Sequence, residues 1–424
     1  MKKLNVNFRG WGQHWHLGTL AHEGRALLFE YSDEALQRGI ELSPIYLKLR
    51  KVAYSDFPIS QDNLPGLIAD SLPDGWGRLL MDRCFQKDGR NPARISPLDR
   101  LAFIHDRAMG ALVFTPPDAL SHDPEYQELR VLAEDAQAVL AGQDTATLEQ
   151  LALTGGSPHG TRPKVLVQYD AATGQVSTDR AAPGAAWLVK FQAQGEAKEV
   201  CAIETLYASM ARKCELDMPA TQYFDLTPKL AGFGIERFDR QRGMRVPTLS
   251  LAALLDDNFR LPTRDYTVFL KATRTLTKDE RQVKKAFERC VFNVVFHNRD
   301  DHTKNFAYVM NESMQWELAP CYDLTYNVGV GGEHQMTVSG EGRHPGLRHL
   351  LKLATVVDLP ETWARQTIER ITTVAGQFAT EAKGSGVKSA TRTSIKNAIE
   401  ANRKRMAQRC CGSVALANRR LPIK

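Results

Sequence analysis

The stretch HNRDDHTKN, residues 297–305, packs two aspartates, two histidines, two asparagines, an arginine and a lysine into nine positions. It follows TKDERQVKKAFERCVFNVVF (277–296), where apolar residues at 283, 286, 287, 290, 291, 294 and 295 fall on one face of a helix. Thr277 and Glu280 make a T-x-x-E pattern, which predicts a capping box at the start of that helix. Downstream, FAYVM, NESMQ and WELAP predict a strand, a turn and a return strand. CYDLTYN comes next. Asp and Asn are ordinary turn residues, and a solvated turn is the bland reading of the loop. A capped helix, a polar loop, a hairpin and then Tyr-Asp together point instead to a site that handles a charged substrate.

That order of parts has a chemical use. In protein kinases a helix leads into H-R-D-x-x-x-x-N, and a hairpin then brings up a second aspartate. Asp300 and Asn305 have the same spacing, and Asp323 lies past the hairpin. Carboxylate and amide oxygens suit a hard cation. Placing them on separate segments lets the cation sit between them. A zinc site of His297, His302 and Cys321 fits no familiar spacing.

Phosphoryl transfer also needs donors around phosphates. TGGSPHGTRPK (154–164) is a glycine-rich turn leading into a strand, with Arg162 and Lys164 beside it. It is neither a Walker A loop nor G-x-G-x-x-G, and a plain turn is its alternative. Lys190 ends the apolar run AAWLV, where a buried charge needs an anion; the alternative is a lysine snorkelling to solvent. The helix predicted over 199–214 offers Glu199 or Glu204 as its partner, and spacing does not choose between them.

The remaining chain frames these parts. LNVNFRG, WHLGTLAHEG and RALLFEYS predict strands, and a helical region broken by Pro73 begins near Leu64. Residues 116–129 are rich in proline and acid and predict a connection, followed by one short helix over 130–153. GFGIERFDR predicts a strand, and beyond it the chain reads as mainly helical except around 303–340. The domain expectation is an N-terminal unit (1–115), a connection (116–129), an N-lobe (130–238) and a helical C-lobe (239–424).

With 424 residues, 43% hydrophobic and 25% charged, the composition is that of a globular protein with a sizeable core. No apolar run reaches membrane-span length, and MKKLNVNFRG has no apolar signal region. Seven cysteines, an odd number without a C-x-x-C, suggest a reduced, cytoplasmic protein without a structural zinc site, and the lack of a spanning run suggests no membrane partner. The net charge is +6, but from Lys383 onward eleven Lys and Arg face one acid, Glu400, leaving −4 on the rest. A basic tail of this kind touches nucleic acid or an acidic partner, or is simply a solvated helix face.

GGSPHGTRPK, LVKF, IERFDR, NRDDHTKNF and APCYDL, in this order, resemble the HipA family of bacterial serine/threonine kinase toxins from type II toxin–antitoxin systems. The resemblance covers nearly the whole chain, including LPDGWGRLL in the N-terminal unit. It implies an α+β, two-lobed, protein-kinase-like fold with a β-rich N-terminal subdomain and a mainly helical C-terminal lobe. It also implies ATP and Mg²⁺ as cofactors. By motif, Asp300 is the catalytic base, Asn305 and Asp323 are the Mg²⁺ ligands, and Lys190 is the ATP-phosphate lysine. His159, Gly160, Thr161, Arg162 and Lys164 belong to the nucleotide loop. Glu236 and Phe238 lie at the adenine, His302 and Tyr322 near the nucleotide, and Ser157 is the autophosphorylated loop serine. The implied partners are a small DNA-binding, HipB-like antitoxin, through which DNA is contacted, and a protein substrate such as an aminoacyl-tRNA synthetase. Gly-Thr-Arg-Pro-Lys replaces the family's Gly-Ala-Gln-Glu-Lys type of loop, and Asp301 replaces a small residue, which leaves the substrate open. The alternative function is a non-catalytic, nucleotide-sensing co-repressor or scaffold for the antitoxin.

Overall fold

A computed structural model describes residues 2–24, 26–120, 126–143, 145–155 and 158–407. The N-terminal strands β1 (Lys3–Gly10), β2 (Gln13–Glu23), β3 (Ala26–Tyr31), β4 (Ala53–Tyr54) and β5 (Leu112–Thr115) form one antiparallel sheet in the order β4-β3-β2-β1-β5. Period-2 alternation explains β1: Leu4, Val6 and Phe8 are fully buried between exposed or half-exposed neighbours. The broken helical region resolves as a short turn of helix, Gly66–Ala69, and then α1 (Gly75–Lys87), on either side of Pro73.

A second antiparallel sheet is built from β6 (Lys164–Asp170), β7 (Gln175–Ser177), β8 (Ala185–Phe191), β9 (Thr221–Asp225) and β10 (Ala231–Glu236), in the order β7-β6-β8-β10-β9. Helix α2 (Glu199–Lys213) packs on it with Ile203, Tyr207 and Met210 buried. The single helix expected over 130–153 is two helices, Leu129–Leu140 and Leu148–Gly155. Gly142 lies between them with φ +84°, a backbone state that ends helices.

Past β10 the chain is not purely helical. Short strands at Arg240–Gln241, Met244–Arg245 and Thr248–Ser250 precede the helical lobe, and the last pairs with Ala307–Met310. The helical lobe centres on α3 (Tyr266–Thr277) and α4 (Glu280–Val295), which pack together. All seven apolar positions expected on one face of α4 are buried.

The capping box is not formed. Asp279 is the N-cap and accepts from the Arg281 amide at 2.9 Å, while the Thr277 hydroxyl donates back to Thr273 O at the end of α3. Lys278 turns the chain at φ +54°, so the two helices are separate and the first acid after the turn does the capping. Helix α5 (Ser389–Ala407) holds the described part of the basic tail, with Ile395, Ile399, Asn402 and Met406 turned inward. Its Asn402 amide donates to Val294 O at 2.8 Å, satisfying a carbonyl at the end of α4.

Candidate active site

The cleft between the second sheet and the helical lobe collects most of the residues singled out from the sequence. Lys190, near the end of β8, is met by Glu204 from α2 at 2.5 Å and by Asp323 at 2.6 Å. The structure therefore chooses between the two glutamates. Glu199 instead accepts from Lys388 N and the Thr391 hydroxyl. Glu204 lies five residues further along α2, on a different face from Glu199, which places it at the lysine.

The charges in this group are strongly coupled. Burial disfavours an ammonium at Lys190, but Asp323 and Glu204 outweigh it and hold the pKa above its ordinary value. Burial also opposes ionisation of Asp323, yet Lys190 keeps that carboxyl far below the usual range. Burial pushes Glu204 up. Asp323 sits at φ +55° and keeps 38% of its side chain exposed, so its carboxylate faces the cleft.

The polar loop after α4 presents Asp300 beside this group. Its side chain is 44% exposed and His302 Nε2 lies 4.0 Å from it. Partial burial raises its pKa. Asn305 donates its amide nitrogen to Asp300 O at 2.7 Å, which fixes the loop and leaves the amide oxygen as the atom available to a cation. The hairpin Ala307–Met310 and Trp316–Leu318 follows, and Asp323 comes after it, in the order the sequence indicates.

Neighbouring positions take opposite roles. Asp301 is buried and accepts from Tyr266 OH at 2.7 Å and Gln335 N at 2.8 Å, with His334 Nδ1 at 2.7 Å. Thr303 donates to Asp257 at 2.8 Å. The buried Arg299 guanidinium donates to the carbonyls of Val328, Gly332 and Arg343. Within DDH, one carboxylate faces the cleft and the next is structural.

The glycine-rich turn lies against the same cleft. Arg162 pairs with Glu196 at 2.9 Å and reaches to 3.9 Å from Glu204. Lys164 is almost fully buried and donates to His159 O at 2.5 Å. Burial, then the neighbouring Lys190, lower its pKa to about 8. Thr161 is exposed. Ser157 lies outside the described residues.

Glu236 ends β10, opposite Trp187, and Phe238 packs on Tyr322 with ring centroids 5.6 Å apart. Tyr322 OH donates to Lys304 O at 2.6 Å. The three residues of the zinc alternative have different surroundings. His297 stacks on Tyr326, His302 lies beside Asp300 and Phe259, and Cys321 is buried with its backbone amide donating to Asp217 O.

Sequence reasoning did not connect two groups to the cleft. Glu196, the partner of Arg162, is in a loop without a motif. Residues 72–76 of LPDGWGRLL reach the glycine turn from the N-terminal unit; their helix-breaking Pro73 and Asp-Gly pair was the available signal.

Taken together, a strand lysine paired to a helix glutamate sits over a loop and hairpin that bring two carboxylates to one cleft. This is a two-lobed, kinase-like arrangement. Comparison with protein families gives a matching result: the HipA-like C-terminal domain matches residues 156–378, more than half of the chain, and the HipA N-terminal domain matches residues 10–115. The chain belongs to the HipA family. Comparison with curated protein sequences returns no match. Among solved structures, a chain of the toxin–antitoxin complex of HipA, HipB and operator DNA from Shewanella oneidensis MR-1 is similar with a TM-score of 0.70 at 16% identity, covering 95% of this chain and 97% of that one. This likeness concerns the fold. The Helicobacter pylori proinflammatory kinase CtkA matches with a TM-score of 0.36 at 11% identity over 53% of this HipA-family chain and 89% of that one.

Proposed function

We propose that this HipA-family protein is an ATP- and Mg²⁺-dependent serine/threonine protein kinase, acting as the toxin of a type II toxin–antitoxin pair. The observation that carries the reading is the Glu204–Lys190–Asp323 group facing Asp300. The half-buried Lys190 and the buried Lys164 provide fixed positive charge where phosphates need it. A Mg²⁺ ion accompanying the nucleotide would supply charge that offsets the phosphates. Asn305, through its free amide oxygen, and Asp323, through its cleft-facing carboxylate, are hard oxygen donors that fit such an ion.

In this reading Asp300 orients the acceptor hydroxyl and takes its proton; its raised pKa makes it a better base than an ordinary carboxylate. Lys190 and Lys164 bind phosphate oxygens. His159 to Lys164 cover the nucleotide, and Glu236, Phe238, His302 and Tyr322 line its base and sugar side. Ser157 accepts a phosphate in self-modification, which adds nearly two negative charges next to the nucleotide loop. Support for a small DNA-binding, HipB-like antitoxin comes from the Shewanella complex, which holds HipA, HipB and operator DNA. A translation protein such as an aminoacyl-tRNA synthetase is the proposed substrate, and the cytoplasm the proposed location. Among the described residues no helix is long and apolar enough to cross a membrane.

The test is mass spectrometry of wild type and Asp300→Asn after incubation with ATP and Mg²⁺. The expected result is a phosphate on the Ser157 peptide of the wild type alone. Neither protein binding ATP nor gaining phosphate would overturn the reading. ATP binding by both, without transfer in either, would shift it to a nucleotide-sensing co-repressor.

A further inference from the structure

The glycine turn has a second face. Its cleft side carries Arg162; its other side is covered by residues 72–76, contributed by the N-terminal unit more than 80 positions earlier in the chain. His159 Nε2 lies 2.9 Å from Leu72 O. The Gly160 amide donates to the Asp74 carboxylate. In return the Trp76 amide donates to Gly160 O at 3.2 Å, and the Trp76 indole to Lys164 O at 3.1 Å. His159, Gly160 and Lys164 are thus held by the N-terminal unit, while Pro163 O accepts from Phe191 N of β8.

The packing leaves no slack. Gly75 has φ +32°, and a Cβ there would lie 2.8 Å from the Thr161 Cα and 3.0 Å from Gly160 O. Backbone meets backbone, so nothing can rotate away to make room. Trp76 is almost fully buried and starts α1, which itself packs on the helix Leu148–Gly155 that leads into the turn. Asp74 is surrounded by His159, Lys304 and Lys164. It stays ionised, and a hydrogen bond to a charged acceptor is of the stronger kind.

A glycine-rich turn free on both faces would sample many backbone states. Binding a nucleotide would then have to order it, and that loss subtracts from affinity. Residues 72–76 remove the cost in advance. We propose that the N-terminal unit completes the nucleotide site, with Asp74 as a positioning residue that holds the turn in its binding-competent place through the Gly160 amide. The inference rests on the kinase reading for the identity of the ligand, but not for the contact itself. It assigns the N-terminal unit a direct effect on nucleotide affinity, so whatever shifts that unit shifts ATP binding.

The test uses the full chain and two variants. Asp74→Ala removes the acceptor; Asp74→Asn keeps an acceptor oxygen and removes the charge. Hydrogen exchange of the 158–164 peptide in the absence of nucleotide is expected to rise in Asp74→Ala and return most of the way in Asp74→Asn. ATP Kd is expected to rise roughly 10-fold in Asp74→Ala, the scale of one charged hydrogen bond, with kcat little changed and partial rescue in Asp74→Asn. Circular dichroism identifies any variant that has simply failed to fold, and Trp76→Phe, which removes the indole donor to Lys164 O and keeps an aromatic ring in the core, is then the substitute; its exchange and Kd should move the same way. Unchanged exchange and unchanged Kd in folded variants would overturn the clamp. Raised exchange in the variants with no ATP binding by the wild type would leave the clamp standing and overturn the kinase reading instead.

Discussion

At the scale of single residues, the site depends on one cation shared between two carboxylates. Lys190→Met leaves Glu204 and Asp323 facing each other without the ammonium that both use. Removing one member of a buried ion pair costs about 3 kcal/mol or more. Denaturant titration of Lys190→Met should show that loss, and ATP binding should fall with it; full stability in the variant would contradict the coupling. Lys164 provides a pH signature. Its pKa of about 8 lies below the ordinary lysine value because burial and Lys190 disfavour its charge. Phosphate binding favours the charged form, so ATP affinity should be flat below pH 8 and weaken as pH rises through it. Calorimetry across pH 7 to 9, repeated on Lys164→Met, checks this: the variant should bind more weakly and lose the pH dependence. The folding sign is opposite. The charged form is the one destabilised by folding, so the penalty is fully present below about pH 8 and is relieved as pH rises toward the unfolded value.

At the scale of elements, the polar loop after α4 is tied to the segment after Asp323 by Arg299. One buried guanidinium satisfies three carbonyls, those of Val328, Gly332 and Arg343. The backbone itself supplies the acceptors for Arg299, and the Asp301 carboxylate holds His334 and Gln335 N of the same segment. Arg299→Ala should cost about 3 kcal/mol, the sum expected for several charged hydrogen bonds partly replaced by water. Hydrogen exchange should rise across 328–343 in that variant, while α4, held by its own apolar face, stays protected. Protection retained over 328–343 would show that the loop is ordered by something else.

At the scale of the whole molecule, the N-terminal unit is joined to the rest through a buried charge cluster as well as through the glycine turn. Asp239 is completely buried and pairs with Arg237 at 2.8 Å and Arg240 at 2.7 Å. It also accepts from Gly110 N at 2.8 Å. Arg245 donates to the carbonyls of Asp106, Ala108, Gly110 and Leu112. Burial opposes ionisation of Asp239, but Arg237 and Arg240 hold its carboxyl well below the usual range. A depressed carboxyl contributes stability that is present above its unfolded pKa and is lost as pH falls below it. Acid unfolding should therefore begin below about pH 4. Asp239→Asn should lower stability by about 3 to 5 kcal/mol by leaving the arginines unpaired, and should flatten that acid limb in denaturation curves measured against pH. A variant as stable as wild type at neutral pH would refute the role given to this cluster.

Helix α4, the hairpin after it and the alternating strands were legible because each rests on local periodicity or turn chemistry. So were the positions of Asp300, Asn305, Asp323 and Lys190, which one motif order arranges along the chain. The T-x-x-E reading failed because two N-cap candidates, Thr277 and Asp279, stand two residues apart, and only the turn at Lys278 decides which one caps. The division of Asp300 and Asp301 into a cleft-facing and a structural carboxylate was not legible either; adjacent loop residues have no fixed period. What the sequence determined by itself is the family and the kinase-like order of parts, because these are carried by residue types at short spacings. Only the tertiary structure decided that Glu204 rather than Glu199 meets Lys190, that Arg299 binds carbonyls, and that Asp74 reaches the glycine turn. Each of these joins segments distant in sequence, and such contacts are fixed by how packed elements are oriented in space, which no local pattern encodes.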